Sequence, residues 1–237
     1  LEAYRAGRLG GEKMPEDENP GLDAFSKENY LYFTLPMALN YQRNSYTLWE
    51  CANRMYRAEE ARWAFDPAQV CARGKDALGE VLVRYRVALQ PNRHPAIWHT
   101  LCETIQNRFQ GDIRRLFSQN DFSVEKTKGD IAAHKKEFPY LGGNKICNYW
   151  LYVLEQRTDL QFCDREAITI APDTHVIQAS VRLGLLSPEE AQGPEAQRLT
   201  AERWSRLLAG SGLVPIDLHT PLWLWSRGKF SAEIQGL

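Results

Sequence analysis

Apolar residues return at spacings of three and four along most of this chain, and glycines and prolines punctuate the pattern. Between residues 29 and 57 the series runs Leu31, Leu35, Leu39, then Tyr46, Trp49, Ala52 and Met55, which is the spacing of one buried helix face. No segment alternates apolar and polar residues as a half-buried strand does, and no fixed-period repeat occurs. A helix with one apolar stripe has to bury it against other helices, so the expectation is an all-α fold.

The breaks place the elements. Pro36 starts or kinks a turn; helices are expected over Ala77–Leu89 after Gly74, and over Ala96–Phe109 after the segment Pro91 to Pro95. A shorter helix follows over Asp112–Asp121, then one over Ser123–Glu137, stopped by Phe138-Pro139, and one over Asn144–Glu155 behind Gly142-Gly143. Thr174–Leu183 is closed by Gly184, Ser187-Pro188-Glu189-Glu190 opens a further helix, Glu195–Ala209 ends at Gly210, and His219–Trp225 is capped by Arg227 and Gly228. Trp49, Trp63, Trp98, Trp150 and Trp204 are expected to pack in the core.

Hydrophobic residues at 43% and charged residues at 25% argue against a disordered chain. The apolar stretch from Leu31 to Leu39 is interrupted by Thr34 and Pro36, well short of the roughly 20 residues of a membrane helix. A soluble, cytoplasmic protein with no membrane partner is expected. The segment through Gly21 reads as a loosely ordered lead-in. Five cysteines are widely spaced with no C-x-x-C pair, the pattern of reduced thiols. His94 and His99 lack a third ligand, so neither metal nor other cofactor is expected.

A net charge of −1 gives no global signal for nucleic acid. Locally, Lys126, Lys128, Lys135, Lys136 and Lys145 gather behind Arg108, Arg114 and Arg115, either as a solvated face or as a patch that neutralises phosphates.

The densest chemistry lies in Phe138-Pro-Tyr-Leu-Gly-Gly-Asn-Lys-Ile-Cys-Asn-Tyr-Trp150 and in Pro172-Asp173-Thr-His175. Leu141, Gly142, Gly143 and Asn144 lead into a helix start whose backbone N–H groups and dipole favour an anion. Glycines there allow positive φ and close approach of a phosphodiester, or they merely make a plain interhelix turn. Lys145 falls in the first helical turn, where the dipole disfavours an ammonium. An uncharged amine there can attack a sugar anomeric carbon and form a Schiff base; the alternative is a lysine that only contacts phosphate or solvent. Asp173 precedes another helix and either caps it or supports a cationic sugar during glycoside cleavage.

Three segments, Ala38-Leu-Asn-Tyr-Gln42, Leu141-Gly-Gly-Asn-Lys145 and Ala171-Pro-Asp-Thr-His175 with Arg182-Leu-Gly184, resemble the helix-hairpin-helix DNA glycosylase superfamily, most of all its archaeal-type 8-oxoguanine branch. The resemblance implies two helical lobes, a helix-hairpin-helix motif and an active-site cleft between the lobes. The boundaries expected are residues 1–24 as lead-in, 25–60 with 179–237 as one lobe, and 61–178 as the lobe carrying hairpin and Asp loop. It further implies Lys145 as Schiff-base nucleophile, Asp173 as the assisting carboxylate, and Leu141 to Asn144 as the DNA-binding turn. Gln42, His219 and Trp223, or Trp225 in place of Trp223, would contact the extruded base. The implied protein is a monomeric base-excision-repair enzyme without cofactor, acting on DNA with an oxidised purine and cutting the strand by β-elimination. Two other readings remain: an N-glycosylase of the same fold acting on another damaged base or nucleotide, and a non-catalytic DNA-binding helical protein.

Overall fold

The computed structural model describes residues 1–9 and 13–232. Among them there are twelve α-helices and no strand, so the chain is all-α. In order they are α1 (Glu2–Arg5), α2 (Lys27–Thr34), α3 (Ser45–Arg57), α4 (Pro67–Arg84), α5 (His94–Phe109), α6 (Arg114–Gln119), α7 (Val124–Ala133), α8 (Asn144–Arg157), α9 (Thr174–Arg182), α10 (Pro188–Gln192), α11 (Ala196–Leu208) and α12 (His219–Arg227). Among the described residues, no helix is long and apolar enough to cross a membrane.

The helices fall into two compact units, Met14–Arg165 and Leu1–Lys13 with Glu166–Leu237. This division differs from the boundaries drawn from the sequence: residues 25–60 group with 61–165, because α3 packs on the 3-10 turns at Pro15–Asp17 and Arg62–Phe65.

The larger unit is built around aromatic side chains. Tyr32 of α2 meets Trp49, Tyr56 and Phe65 at 5.8, 5.6 and 5.6 Å between ring centroids, and Phe65 meets Trp98 edge-on at 5.3 Å. Buried indole N–H groups need acceptors; Trp98 donates to the Ala64 carbonyl at 2.8 Å and Trp150 to the Thr34 hydroxyl at 3.0 Å. In the smaller unit α9 packs against α12 and α11, where Trp204 donates to the Ser180 hydroxyl at 2.8 Å. All five tryptophans expected in the core are buried.

The pattern of residues 29–57 breaks at Pro36 as expected, into α2, a 3-10 turn at Met37–Leu39 and α3. Two local expectations are corrected. Helix α4 starts ten residues ahead of the expected Ala77, at Pro67 with Asp66 as side-chain cap, and bends at Gly74, whose φ is 82°. The lead-in is ordered structure from Met14 on: Pro15 and Glu16 are buried, Tyr149 donates to Glu16 at 2.7 Å, Arg157 pairs with Asp17, and Asn53 donates to Glu18 at 2.9 Å.

Candidate functional site

In the larger unit, α7 and α8 follow one another across the turn of residues 134–143. Ser123 caps α7 at the Lys126 N–H, and the Asp164 carboxylate accepts from the Ser123 hydroxyl and the Val124 and Glu125 N–H groups. From α5, Arg108 reaches Asp130 at 2.7 Å and Glu137 at 3.0 Å, clamping the far end of α7 and the turn after it. Phe138 and Leu141 are buried beneath the turn.

Helix α8 then begins at Gly143, which offers no side-chain cap. The first helical bond across this junction runs from the Cys147 N–H to the Gly143 carbonyl at 2.8 Å, so the N–H groups of Asn144, Lys145 and Ile146 face outward from an open helix start. Gly142, Gly143 and Asn144 are exposed and Lys145 is half-buried in the first turn. The glycines do not take positive φ; that conformation belongs to Tyr140, at 64°. What requires glycine is space, because a Cβ would lie 3.2 Å from Ile131 Cγ2 at position 142 and 3.3 Å from the Tyr140 carbonyl at position 143.

The Gln42 segment lies against this turn. The ring of Tyr41 stacks on that of Tyr140 at 4.0 Å and 8°, and the Arg93 guanidinium is 5.1 Å from the Tyr140 ring and 5.9 Å from the Tyr41 ring. Gln42 itself is exposed with φ 48°. Under the stack, His94 is 2% exposed and accepts the Leu89 N–H at Nδ1. Burial, and then the charges of Arg43 and Arg93, push its pKa down to about 4. Burial and the neighbouring Tyr140 hydroxyl raise the Tyr41 phenol to about 12.

The basic patch is smaller than expected. Arg108 is held by acids, Arg114 by Asp112 at 2.6 Å and Lys126 by Asp121 at 2.6 Å. Burial pushes the Lys128 ammonium below its ordinary value, against the opposing charges of Cys147 and Asp164. Lys135 and Lys136 remain exposed on the turn.

The smaller unit carries the other predicted residues. Asp173 caps α9, accepting the Val176 N–H at 2.9 Å. Two residues on, His175 sits edge-on to Trp223 of α12 at 5.2 Å, and its Nδ1 is 3.2 Å from the Ser226 hydroxyl, which donates to Gln178 at 2.9 Å. Arg227 lies 5.2 Å from the Trp223 ring. His219 and Trp223 are 3% and 8% exposed, and Trp225 is buried with its indole N–H on the Ala232 carbonyl at 2.9 Å. Each unit therefore assembles part of the predicted set: Gln42 with Leu141 to Lys145 in one, Asp173 with His219 and Trp223 in the other.

The sequence reading gave no role to Tyr41, Arg43, Arg93, Tyr140 or His175. Of two cavities, the one of 520 Å³ beside Trp63 and Arg73 is lined by none of the predicted site residues, and the one of 430 Å³ between Trp204 and Trp225 only by Trp225, the alternative to Trp223. Among the described residues, no group of three or more His, Cys, Asp or Glu side chains could hold a metal ion. No protein-family model matches this chain, and no curated protein matches it.

Proposed function

We propose that this protein is a DNA glycosylase of base excision repair with AP lyase activity, acting on an oxidised purine, with 8-oxoguanine the foremost substrate. The observation that carries the reading is the start of α8: no side-chain cap, an exposed Gly142-Gly143-Asn144 approach, and Lys145 in the first turn. Such a start binds a phosphodiester through backbone N–H groups. Leu141 takes part only through its main chain, because its side chain is fully buried.

In this reading Lys145 Nζ attacks C1′ of a nucleotide rotated out of the duplex. The C1′–N bond breaks and its electron pair leaves with the base. Asp173 supports the positive charge that develops on the sugar and receives the proton the amine sheds. Opening of the sugar ring leaves an imine between Nζ and C1′; removal of a C2′ proton then expels the 3′ phosphate. Gln42, exposed on its loop, reads the base edge. His219 and Trp223 line the base, with Trp223 shared between it and His175. The reading requires Lys145 and Asp173 to act on one deoxyribose.

Borohydride reduction in the presence of 8-oxoguanine or abasic-site duplexes tests it. A covalent protein–DNA adduct that disappears in Lys145→Gln is expected. No adduct with either duplex, and a Lys145→Gln variant that behaves like the parent, would remove the lyase assignment.

A second, non-catalytic reading is favoured by one observation, that Asp173 already serves α9 as its cap through Oδ1. It predicts salt-dependent DNA binding without base release, weakened uniformly across sequences by charge reversal at Lys135 and Lys136.

A further inference from the structure

Arg43, Arg93 and His94 are a group of hydrogen-bond donors with no acid among them. Among the described residues, Arg43 gives its terminal nitrogens to the Val87 and Arg86 carbonyls at 2.6 and 3.4 Å, while its Nε is buried without a partner. His94 is fixed by the Leu89 N–H at Nδ1, so its proton is on Nε2, and that atom too is buried without a partner among the described residues. Arg93 is exposed and lies against the faces of Tyr41 and Tyr140. Buried donors of native proteins nearly always find acceptors, so two orphans in one cluster call for a ligand that brings lone pairs.

We propose that Arg43, Arg93 and His94 form a binding site for a phosphate oxyanion. A phosphate presents its oxygens in tetrahedral directions, which suits donors arriving from separate segments of the chain better than the single plane of a carboxylate, and its charge of up to two offsets the two guanidiniums. Arg93 stands at the solvent rim and engages first. Arg43 Nε and His94 Nε2 come within reach when the Tyr41 and Tyr140 rings slide apart, and the residues that fix those rings, Gln42 and Tyr140, hold strained left-handed conformations at 48° and 64°. The cluster borders both the Gln42 loop and the turn before α8. If the reading under Proposed function is right, the occupant is a backbone phosphate of DNA; that source rests on the reading, whereas the oxyanion chemistry does not.

The test uses the full chain with two probes. Inorganic phosphate is titrated while the ¹⁵N resonances of the arginine Nε–H and histidine ring groups are followed, with chloride at matched ionic strength as control. A duplex with a tetrahydrofuran abasic analogue is bound at several salt concentrations, read by fluorescence anisotropy. Saturable shifts at Arg43 Nε and His94 Nε2 are expected. Arg93→Met should weaken phosphate about tenfold, the loss of one charged hydrogen bond, and lower the salt slope of DNA binding by about 1. His94→Asn, whose carbonyl still accepts the Leu89 N–H, should weaken phosphate without unfolding the chain. Phosphate shifts no larger than those from chloride, or affinities unchanged in both variants, would overturn the site. Phosphate binding without any DNA binding keeps the site and defeats the DNA reading instead; an intact borohydride adduct with no phosphate response defeats only this inference.

Discussion

Tyr41 and Tyr140 lie face to face, 4.0 Å between ring centroids and 8° between planes, and this contact joins the loop bearing Gln42 to the turn that precedes Lys145. It holds a tyrosine at φ 64°, where a side chain other than glycine's loses roughly 1 kcal/mol. The stack returns about 0.5–1.5 kcal/mol beyond the area it buries. Tyr140→Phe should therefore stay near the parent. Tyr140→Ala loses the stack and keeps the strain, so it should be less stable than Tyr140→Gly by about 1 kcal/mol, opposite to the usual order of alanine and glycine. Urea denaturation of the three variants checks the order.

Arg108 ties α5 to α7 and to the turn after it. Burial alone would push the Asp130 carboxyl up, but hydrogen bonds from Arg108 and Asn120 and the Arg108 charge outweigh it and hold the group below its ordinary 3.8. A depressed carboxyl contributes stability that is present above the unfolded value and lost as pH falls through the folded one. Arg108→Met should lower stability at neutral pH by about 2 kcal/mol, the scale for hydrogen bonds to a charged group. Its stability should also fall less steeply than the parent's below pH 3.8. Denaturation midpoints measured across the acid range report both.

Glu16 gives the opposite sign. The residue is 4% exposed; its carboxyl accepts the Tyr149 hydroxyl at 2.7 Å through one oxygen and has the other buried without a partner among the described residues. Burial raises its pKa above 4.5, with the Tyr149 hydrogen bond opposing. The folded state then holds the proton more tightly than the unfolded chain, so this contribution is complete below 4.5 and is lost as pH rises through the folded value. Glu16→Gln should remove that decline, and the difference in stability between variant and parent should move in favour of the variant as pH rises above 4.5. A constant difference across that range would show that Glu16 does not titrate there.

The helices were legible because their signals are local. Ser123, Asp173 and Ser187 are each found capping the helix they were read to start, and the apolar spacing that chose α5, α8 and α11 depends on neighbours three or four residues away. What escaped the sequence was non-local. Asp66-Pro67 is a strong helix start, yet Gly74 two turns later looked like its boundary when it is a bend within α4. Glu16 looked like part of a polar lead-in because only Tyr149, far along the chain, shows that it is buried. Gly142 and Gly143 were read as allowing a left-handed conformation, and the residue that adopts it is Tyr140, since the stack on Tyr41 that stabilises it joins residues far apart in sequence. Lys145 and Asp173 were legible as residue types at helix starts, and both are found there.

Asp173 separates structure from chemistry, because its capping role and its proposed catalytic role ask different things of the side chain. The cap needs an oxygen that accepts the Val176 N–H, at 2.9 Å, and asparagine supplies one as well as aspartate does. Support of a cationic sugar and uptake of a proton need the negative charge. Asp173→Asn should therefore keep the parent's stability within a few tenths of a kcal/mol, while Asp173→Ala should lose about 1 kcal/mol. If the carboxylate is catalytic, both variants should release base at least 100-fold more slowly, the scale of general acid–base catalysis, and the stability of Asp173→Asn makes that loss chemical. Base release by Asp173→Asn at the parent rate, measured in single-turnover reactions on an 8-oxoguanine duplex, would leave Asp173 as the cap of α9 and nothing more.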